Sequence, residues 1–230
     1  MNALALHNYF SRAEKLLWLS SVTLILAAFL AFDRGNLTAL AASLIGVTSL
    51  LFNARGNPVG QVIGIAFCLL YGFISWHYAY YGEMITYLGM TFPMSVVTLV
   101  IWLRNPYNGD RMCVQVNRLR PLDLLWLAVV TAAVTVVFGF LLRALNTANL
   151  VPSIVSISTS TIAVYLSWRR SPWFAVGYAL NDLVLIVLWS LAAAQDPGAV
   201  SVLMCFVAFF ANDLYGFRNW RRMLCQQQTA

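Results

Sequence analysis

Long apolar runs separated by short polar segments recur along the whole chain. A helix that crosses a bilayer needs roughly 17–25 mostly apolar residues. Eight segments have about this length, the second being short: Leu16–Phe32, Leu37–Phe52, Val59–Ala79, Ile85–Leu103, Leu122–Leu142, Leu150–Trp168, Trp173–Ala193 and Ala199–Phe217. In lipid a lone strand would leave its backbone N–H and C=O groups unpaired, so each segment is predicted to be a helix. The pattern predicts an all-α integral membrane protein with eight transmembrane helices.

Composition excludes an ordinary soluble domain. The 230 residues are 61% hydrophobic and only 10% charged, and the mean hydropathy is +0.76. Soluble domains average about 25% charged residues.

The basic residues are distributed unevenly across the predicted spans. Only Arg34 and Arg143 lie on one side, and the side with both termini carries Arg12, Lys15, Arg55, Arg104, Arg111, Arg118, Arg120, Arg169, Arg170, Arg218, Arg221 and Arg222. The positive-inside rule therefore predicts that both termini are cytoplasmic. The net charge of +6 follows from this topology and does not imply a nucleic-acid partner.

The first span has two interpretations. Lys15, an apolar run and the small residues Ala27, Ala28 and Ala31 resemble a signal peptide. An apolar core of this length followed by Asp33 is more typical of an uncleaved span, which is the interpretation we favour.

A three-helix unit is repeated in the sequence. Residues Arg55–Asn105 align on Arg169–Asn219 at an offset of 114 without a gap. The matches fall on loops and helix ends: Arg55 and Pro58 on Arg169 and Pro172, Met90 and Phe92 on Met204 and Phe206, and Arg104-Asn105 on Arg218-Asn219. Duplicated membrane units that enclose a site near the bilayer midplane are typical of secondary transporters.

The repeat predicts how the chain is organised. Residues 1-36 form a peripheral N-terminal helix, 37-105 the first three-helix repeat, 106-148 a cytoplasmic loop and linking helix, 149-222 the second repeat, and 223-230 a cytoplasmic tail. Each repeat has three helices, an odd number, so it ends on the side of the membrane opposite to its start. One linking helix therefore returns the chain to its starting side. Both copies are then parallel and related by an axis along the membrane normal.

Three local signals refine this picture. Asn108-Gly109 predicts a turn, in either a short hairpin or a solvated loop. Pro93 removes a backbone hydrogen bond in the fourth span, so a kink is expected there. Gly60 and Gly64 allow close helix contact, for packing or as a hinge.

Two carboxylates lie inside predicted spans. Such a group costs roughly 2.5–3.5 kcal/mol at mid-helix, so it needs a reason to be there. Asp182 has no Lys or Arg at its depth, and we interpret it as a site or proton-sharing residue. Asp213 lies near the end of its span, where we favour capping or pairing with Arg218 or Arg221.

Polar stripes predict a shared cavity. Tyr178, Asn181 and Trp189 lie on one face of the seventh span, with Asp182 at its edge, and the fourth span presents Thr91, Ser95 and Thr98 at helical spacing. The repeat offset maps Thr98 onto Asn212.

The sixth span adds the hydroxyl residues Ser153, Ser156, Ser158, Thr159, Ser160 and Thr161. Some of these hydroxyls are expected to serve packing. A pocket of such groups suits a hydroxylated ligand with a flat ring, which a Trp can stack, more strongly when the ring is cationic.

The stretch from Trp76 to Glu83 has two interpretations. Aromatic residues at a membrane interface form the usual belt. Alternatively, Glu83 attracts a cationic solute at the mouth of a pathway.

With these residues in view, the chain resembles the PnuC family of vitamin transporters, and in particular its nicotinamide riboside carriers. The resemblance covers about residues 37–222. It is carried by Tyr81-Gly82-Glu83-Met84-Ile85-Thr86 before Pro93, by Trp102-Leu103-Arg104-Asn105-Pro106, by Asn181-Asp182 with Trp189, and by Asn212-Asp213-x-Tyr215-Gly216-Phe217-x-Asn219-Trp220-Arg221.

The resemblance implies a 3+1+3 fold like an enlarged SWEET transporter, plus the extra N-terminal helix, and a homotrimer in the bacterial inner membrane. It implies import by facilitated diffusion, kept inward by a separate cytoplasmic kinase that phosphorylates the riboside. The family's ligand-holding aromatic and amide residues correspond here to Trp189, Asn181 and Asn212, with Asp182 beside them.

Other functions remain open at this point. Relatives with this fold carry thiamin or riboflavin. A membrane enzyme would have only His7 and His77 for histidine chemistry, and the chain shows no Gly-x-Ser-x-Gly motif or phosphate loop. A sensor or assembly subunit is a further alternative. We predict no catalytic residues, no metal site and no cofactor.

Overall fold

Eight helices account for nearly all the regular structure in residues 9–229, the part of the chain that the computed structural model describes. They are α1 (Arg12–Phe32), α2 (Leu37–Asn53), α3 (Val59–His77), α4 (Tyr81–Arg104), α5 (Pro121–Ala144), α6 (Leu150–Trp168), α7 (Phe174–Ala193) and α8 (Val200–Thr229). Seven of them are long and apolar enough to span a membrane, and α2 is a shorter apolar helix. The prediction of an all-α integral membrane protein is confirmed.

A capping box fixes the start of α1. The Ser11 hydroxyl accepts from the Glu14 backbone N–H at 3.2 Å, and Glu14 Oε2 accepts from the Ser11 backbone N–H at 2.7 Å. This pairing satisfies two of the backbone donors that a helix start leaves free. Glu14 Oε1 also lies 3.3 Å from Arg55 Nε, which ties α1 to the loop between α2 and α3.

The interruption expected at Pro93 takes the form of a π-helical turn. Within α4, residues Thr86–Thr91 form this wider turn between the α-helical segments Tyr81–Ile85 and Phe92–Arg104. Proline has no N–H, and its ring would collide with the carbonyl four residues earlier, so the preceding turn must loosen. The irregularity lies on the helix that carries Thr91 and Ser95.

The segment after α4 forms the predicted hairpin. Strands β1 (Pro106–Tyr107) and β2 (Asp110–Val114) pair antiparallel, with Tyr107 opposite Asp110. The two turn residues, Asn108 and Gly109, both have positive φ, at 49° and 81°. This geometry favours Asn-Gly over most other pairs. The alternative of an open solvated loop is wrong.

Several segments that carry basic residues meet at one end of the helix bundle, which we call the basic end. The Val114 N–H donates to Gly56 O, and the Asn117 N–H donates to Arg170 O, both at 3.0 Å. The hairpin segment therefore bridges the α2–α3 and α6–α7 loops. At the opposite end, the Tyr78 hydroxyl donates to Asp196 Oδ2 at 3.0 Å.

The final helix is longer than predicted. Residues 223–229, predicted as a tail, continue α8 as far as Thr229. Gln227 anchors this extension, because its Oε1 accepts from the Val116 N–H at 2.7 Å and its Nε2 donates to Val114 O at 3.1 Å. The predicted tail is thus a helix end docked on the hairpin.

The α2–α3 and α6–α7 loops have the same backbone bonding at the 114-residue offset. The Asn57 N–H donates to Phe52 O at 3.1 Å, and the Ser171 N–H donates to Leu166 O at 3.0 Å. Two further bonds of the first loop have counterparts in the second. Gly56 N–H donates to Asn53 O, as Arg170 N–H does to Ser167 O. Gly60 N–H donates to Asn57 O, as Phe174 N–H does to Ser171 O. Gly56 and Arg170 have φ of 64° and 56°, as the residue after a helix does in a Schellman motif.

Gly60 allows a close contact between α2 and α3. A Cβ added to Gly60 would lie 2.4 Å from Asn53 Oδ1 on α2, a separation no real contact shows. The packing role predicted for Gly60 is confirmed. It brings α3 against the part of α2 that carries Ser49 and Asn53.

Candidate functional site

A cavity lies among α2, α3, α4, α7 and α8. In this conformation only ≈ 70 Å³ of it is wide enough for water-sized groups. Ligand pockets for small molecules span about 300–1,000 Å³, so the cavity must widen to take one. Each of the five helices contributes to the wall: Gly46, Ser49, Leu50, Asn53; Gln61, Gly64, Phe67, Cys68; Tyr87, Thr91, Ser95; Phe174, Tyr178, Asp182; and Phe209, Asp213.

A pair of carboxyl groups dominates the electrostatics of this cavity. Asp182 on α7 and Asp213 on α8 are close neighbours, and each is at most 5% exposed. None of the described lining residues is a lysine, arginine or histidine. Two carboxyl groups in contact are compatible only when a proton or another cation lies between them. The cavity therefore offers a ligand two acidic groups and, among its described lining residues, no basic group.

The position of Asp213 corrects the sequence prediction. We expected it to cap its helix or pair with Arg218 or Arg221. In the described residues the ion pairs are Arg55 with Glu14 and Arg169 with Asp123, and Asp213 faces the cavity instead.

A chain of neutral polar groups lines the α2–α3 side. With the amides oriented to suit their neighbours, Gln61 Nε2 donates to Asn53 Oδ1 at 3.0 Å, and Asn53 Nδ2 donates to Ser49 Oγ at 3.2 Å. Ser49 in turn donates to Gly60 O at 2.8 Å. This arrangement holds the Gln61 amide at the wall of the cavity, where its remaining donor and acceptor capacity suits ligand hydroxyl and amide groups.

Aromatic rings supply an apolar surface beside the polar groups. Phe67 stacks on Tyr71 with ring centroids 5.5 Å apart and an interplanar angle of 15°, and Phe209 contacts Phe67 edge-on at 5.3 Å. The ring centroids of Tyr87 and Tyr71 are 4.4 Å apart. Because Phe67, Tyr87 and Phe209 line the cavity, a flat ring can pack there.

The structure brings together half of the predicted site. Of the residues proposed from sequence, Thr91, Ser95, Tyr178 and Asp182 line the cavity. The Thr91 hydroxyl and Asp182 Oδ2 are buried without a hydrogen-bond partner among the described residues, so both have capacity for a ligand.

The other predicted residues lie outside the cavity wall. Thr98 is buried, and Asn212 Nδ2 donates to Ser21 Oγ of α1 at 2.9 Å and to Ala208 O at 2.8 Å. Trp189 is 0% exposed and donates through Nε1 to the Tyr71 hydroxyl at 2.8 Å. In this conformation these side chains hold helices together.

Asn181 explains why the hydroxyl groups of α6 are absent from the cavity. Its Oδ1 accepts from Ser156, Thr159 and Ser160, at 3.1, 2.9 and 2.9 Å. Three of the six α6 hydroxyls thus join α6 to α7, which is the packing role expected for some of them.

Two aromatic clusters lie at the two ends of the cavity. The Trp102 cluster, at the basic end, consists of Trp102, Phe174 and Trp220, with the two indoles 5.3 Å apart. The Trp189 cluster, at the opposite end, consists of Tyr71, Tyr78, Tyr80 and Trp189.

The indoles of the Trp102 cluster bond across the two halves of the chain. Trp102 Nε1 donates to Ser167 O at 3.2 Å, and Trp220 Nε1 donates to Asn53 O at 2.8 Å. Asn53 and Ser167 occupy equivalent positions in the two repeats, because they are separated by the repeat offset. The backbone carbonyl at this position therefore accepts a hydrogen bond from a tryptophan of the other half in both repeats. These two hydrogen bonds join the two halves of the chain at the basic end.

Sequence reasoning missed several lining residues. Gln61 left a signal, since an amide inside an apolar span is unusual. Asn53 directly follows the predicted end of a span at Phe52, where a polar residue is ordinary. Phe67 and Tyr87 gave no signal in the sequence, because aromatic residues in a membrane helix are ordinary.

Gly46 offers a test of how tightly the cavity wall is packed. An added Cβ would lie 2.2 Å from Phe209 Cζ and 2.9 Å from Phe67 Cδ2. We expect Gly46→Ala to push these rings into the cavity and to lower stability by about 1–3 kcal/mol, the usual cost of overpacking. Thermal unfolding in detergent measures the change. Gly35→Ala, with nothing within 4 Å of the new Cβ, is the matched control. Equal unfolding temperatures for both variants would contradict this packing.

Comparison with known proteins agrees with this architecture. Residues 36–222 match the family model described as nicotinamide mononucleotide transporter. The chain is 26% identical over 212 residues to the nicotinamide riboside transporter PnuC of Neisseria mucosa, covering 90% of this chain and 80% of that protein. It is 23% identical over 188 residues to the nicotinamide riboside transporter PnuC of Haemophilus influenzae, covering 81% and 80%.

The fold also matches a solved structure. The crystal structure of the vitamin B3 transporter PnuC aligns with a TM-score of 0.83 and 21% identity, covering 95% of this chain and 94% of that chain. Because the family match extends from the α1–α2 loop into α8, the resemblance seen in the sequence is confirmed, and the chain belongs to the PnuC family of membrane transporters.

Proposed function

We propose that this protein is a facilitative carrier that imports nicotinamide riboside. One observation carries the proposal: the cavity combines two carboxyl groups with aromatic rings and has no basic side chain among its described lining residues. Nicotinamide riboside is a pyridinium cation joined to a neutral, hydroxylated sugar. A desolvated cation needs a counter-charge, which Asp182 and Asp213 supply.

The same charge distribution disfavours the mononucleotide. Nicotinamide mononucleotide carries a phosphate, and phosphate sites in proteins use Arg, Lys or helix N-termini. A phosphate beside Asp182 and Asp213 would meet like charge instead, which costs several kcal/mol at a desolvated site. The cavity therefore selects the riboside.

Neutral groups around the carboxyl pair suit the rest of the ligand. We assign the ribose hydroxyls and the carboxamide to Gln61, Thr91 and Ser95, and the ring to Phe67 and Tyr87. Tyr178 completes the wall beside Asp182. We assign Asn181, Asn212 and Thr98 to helix positioning. Trp189 contacts the ligand only after its cluster opens.

We further propose alternating access by rocking of two parallel three-helix repeats, α2–α4 and α6–α8, joined by α5. The matching hydrogen bonds of the α2–α3 and α6–α7 loops support this 3+1+3 organisation. Pairs of cavity residues at the repeat offset also support it: Gly64 with Tyr178, Cys68 with Asp182, and Ser95 with Phe209. Equivalent faces of both copies thus line one site.

We place the basic end in the cytoplasm, both termini included, and the protein in the bacterial inner membrane. Family resemblance suggests a homotrimer and a cytoplasmic kinase that traps the riboside by phosphorylation. Along α5, large apolar side chains such as Trp126, Val137 and Phe140 are exposed, as lipid or a neighbouring subunit requires.

Transport into proteoliposomes tests the substrate. We expect saturable uptake of labelled nicotinamide riboside that excess unlabelled riboside blocks and excess mononucleotide does not. Thiamin is the sharper competitor, since it is also a cationic ring, whereas riboflavin is uncharged. Uptake of thiamin in preference to the riboside would reassign the substrate. Folded protein with no uptake of either would overturn the proposal.

A further inference from the structure

Another buried carboxylate lies outside the cavity just described. Glu83, at the start of α4, is 0% exposed, and in the described part of the chain neither of its carboxylate oxygens has a hydrogen-bond partner. The hydroxyls of Ser75 on α3 and Thr86 on α4 are equally buried and equally unpartnered. Glu83 is therefore enclosed by protein and does not lie at an open mouth in this conformation.

Two tyrosines of the Trp189 cluster lie near this carboxylate. Glu83 is close enough to interact electrostatically with the hydroxyl groups of Tyr71 and Tyr80. Trp189 bonds to Tyr71, and the ring of Tyr80 meets the Trp189 indole edge-on at 5.4 Å. A carboxylate beside several electron-rich rings is the combination that binds organic cations.

Tyr71 separates the Glu83 site from the main cavity. Its ring stacks on Phe67 and contacts Tyr87, both of which line the cavity, while its hydroxyl accepts from Trp189. A solute that passes from the end opposite the basic end to Asp182 must cross this layer. Tyr71, which belongs to this layer, also lies near Glu83.

Surface charge continues the same pattern outward. Asp33 and Asp196 lie at the mouth, where they accept hydrogen bonds from Ser201 and Tyr78. The basic residues at this end are Arg34 and Arg143, and both are exposed. Acidic groups therefore occur at three depths: the surface, Glu83, and the Asp182–Asp213 pair.

We propose that Glu83 is an outer counter-ion that selects cationic substrates, holding the pyridinium ring among Tyr71, Tyr80 and Trp189 before it reaches the main cavity. In this conformation the site is packed shut, because Trp189 is fully enclosed. Opening of the Trp189 cluster gives the ring access. This inference rests on the proposed riboside transport.

The test separates charge recognition from a structural role. Glu83→Gln keeps the size of the side chain and removes its charge. Two labelled substrates are compared in proteoliposomes: nicotinamide riboside and its reduced 1,4-dihydro form, which has nearly the same shape but no positive charge. We expect the KM for the riboside to rise about tenfold, the scale of one lost charge contact, while uptake of the neutral form is unchanged. Asp110→Asn, on the exposed hairpin at the basic end, is the control and should alter neither KM appreciably.

Each outcome decides the question. Equal changes for both substrates, or no change for either, would overturn the outer counter-ion. Glu83→Asp keeps the charge and shortens the side chain, and it should raise the riboside KM less than Glu83→Gln does. If Glu83→Gln does not fold, an unchanged riboside KM in Glu83→Asp overturns the inference. Failure of the unaltered protein to take up riboside would overturn the proposed function as well.

Discussion

Neutralising the carboxyl pair, in Asp182→Asn with Asp213→Asn, is expected to abolish most nicotinamide riboside uptake. Losing one partner of a buried charge pair costs about 2–5 kcal/mol. This corresponds to a loss on the order of 100-fold in affinity for the cation. Folding should not suffer, because two amides in contact can hydrogen-bond to each other without a shared proton.

The measurement is initial uptake as a function of riboside concentration, with thermal unfolding in parallel. Asp110→Asn, at the exposed hairpin turn, removes an equal charge away from the cavity and should transport normally. Wild-type KM in the double variant would show that the cavity does not bind the pyridinium. A collapse of the unfolding temperature would instead assign the pair a structural role.

Removing the two indole hydrogen bonds of the Trp102 cluster is expected to open the basic end of the cavity. Trp102→Phe with Trp220→Phe keeps aromatic packing but loses the donors to Ser167 O and Asn53 O. Each bond contributes about 1 kcal/mol. Losing both therefore raises the population of the open state roughly 30-fold.

Cys68 reports this opening directly, because its thiol lines the cavity. In a background with Cys113, Cys205 and Cys225 replaced by Ser, a membrane-impermeant maleimide is applied to the basic-end side. We expect Cys68 to react faster in the double variant. Trp126→Phe, on the exposed face of α5, is the control. Labelling at the control rate would show that these bonds do not close the cavity.

The helices and the hairpin could be predicted from local sequence. For seven of the eight predicted spans, both ends lie within a few residues of the ends of the observed helix. The sequence predicts these ends because the length of an apolar run and the chemistry of its ends are local properties. The exception is α8, whose polar extension to Thr229 depends on contacts of Gln227 with the distant hairpin. Asn108-Gly109 predicted the turn because few residue pairs accept positive φ twice.

Only tertiary packing decided which polar groups share the cavity. Helical spacing placed Tyr178 and Asp182 on a polar face, and both line the cavity, yet Asn181 on the next position turns to the hydroxyls of α6. Asp213 meets Asp182 rather than an arginine. Whether a polar side chain meets a ligand or a neighbouring helix depends on how each helix is rotated about its axis. Contacts between helices set that rotation, for example the contact of Gly60 on α3 with Asn53 on α2. The length of an apolar run indicates that a segment lies in the membrane. It does not indicate which neighbouring helix each face of that segment will contact.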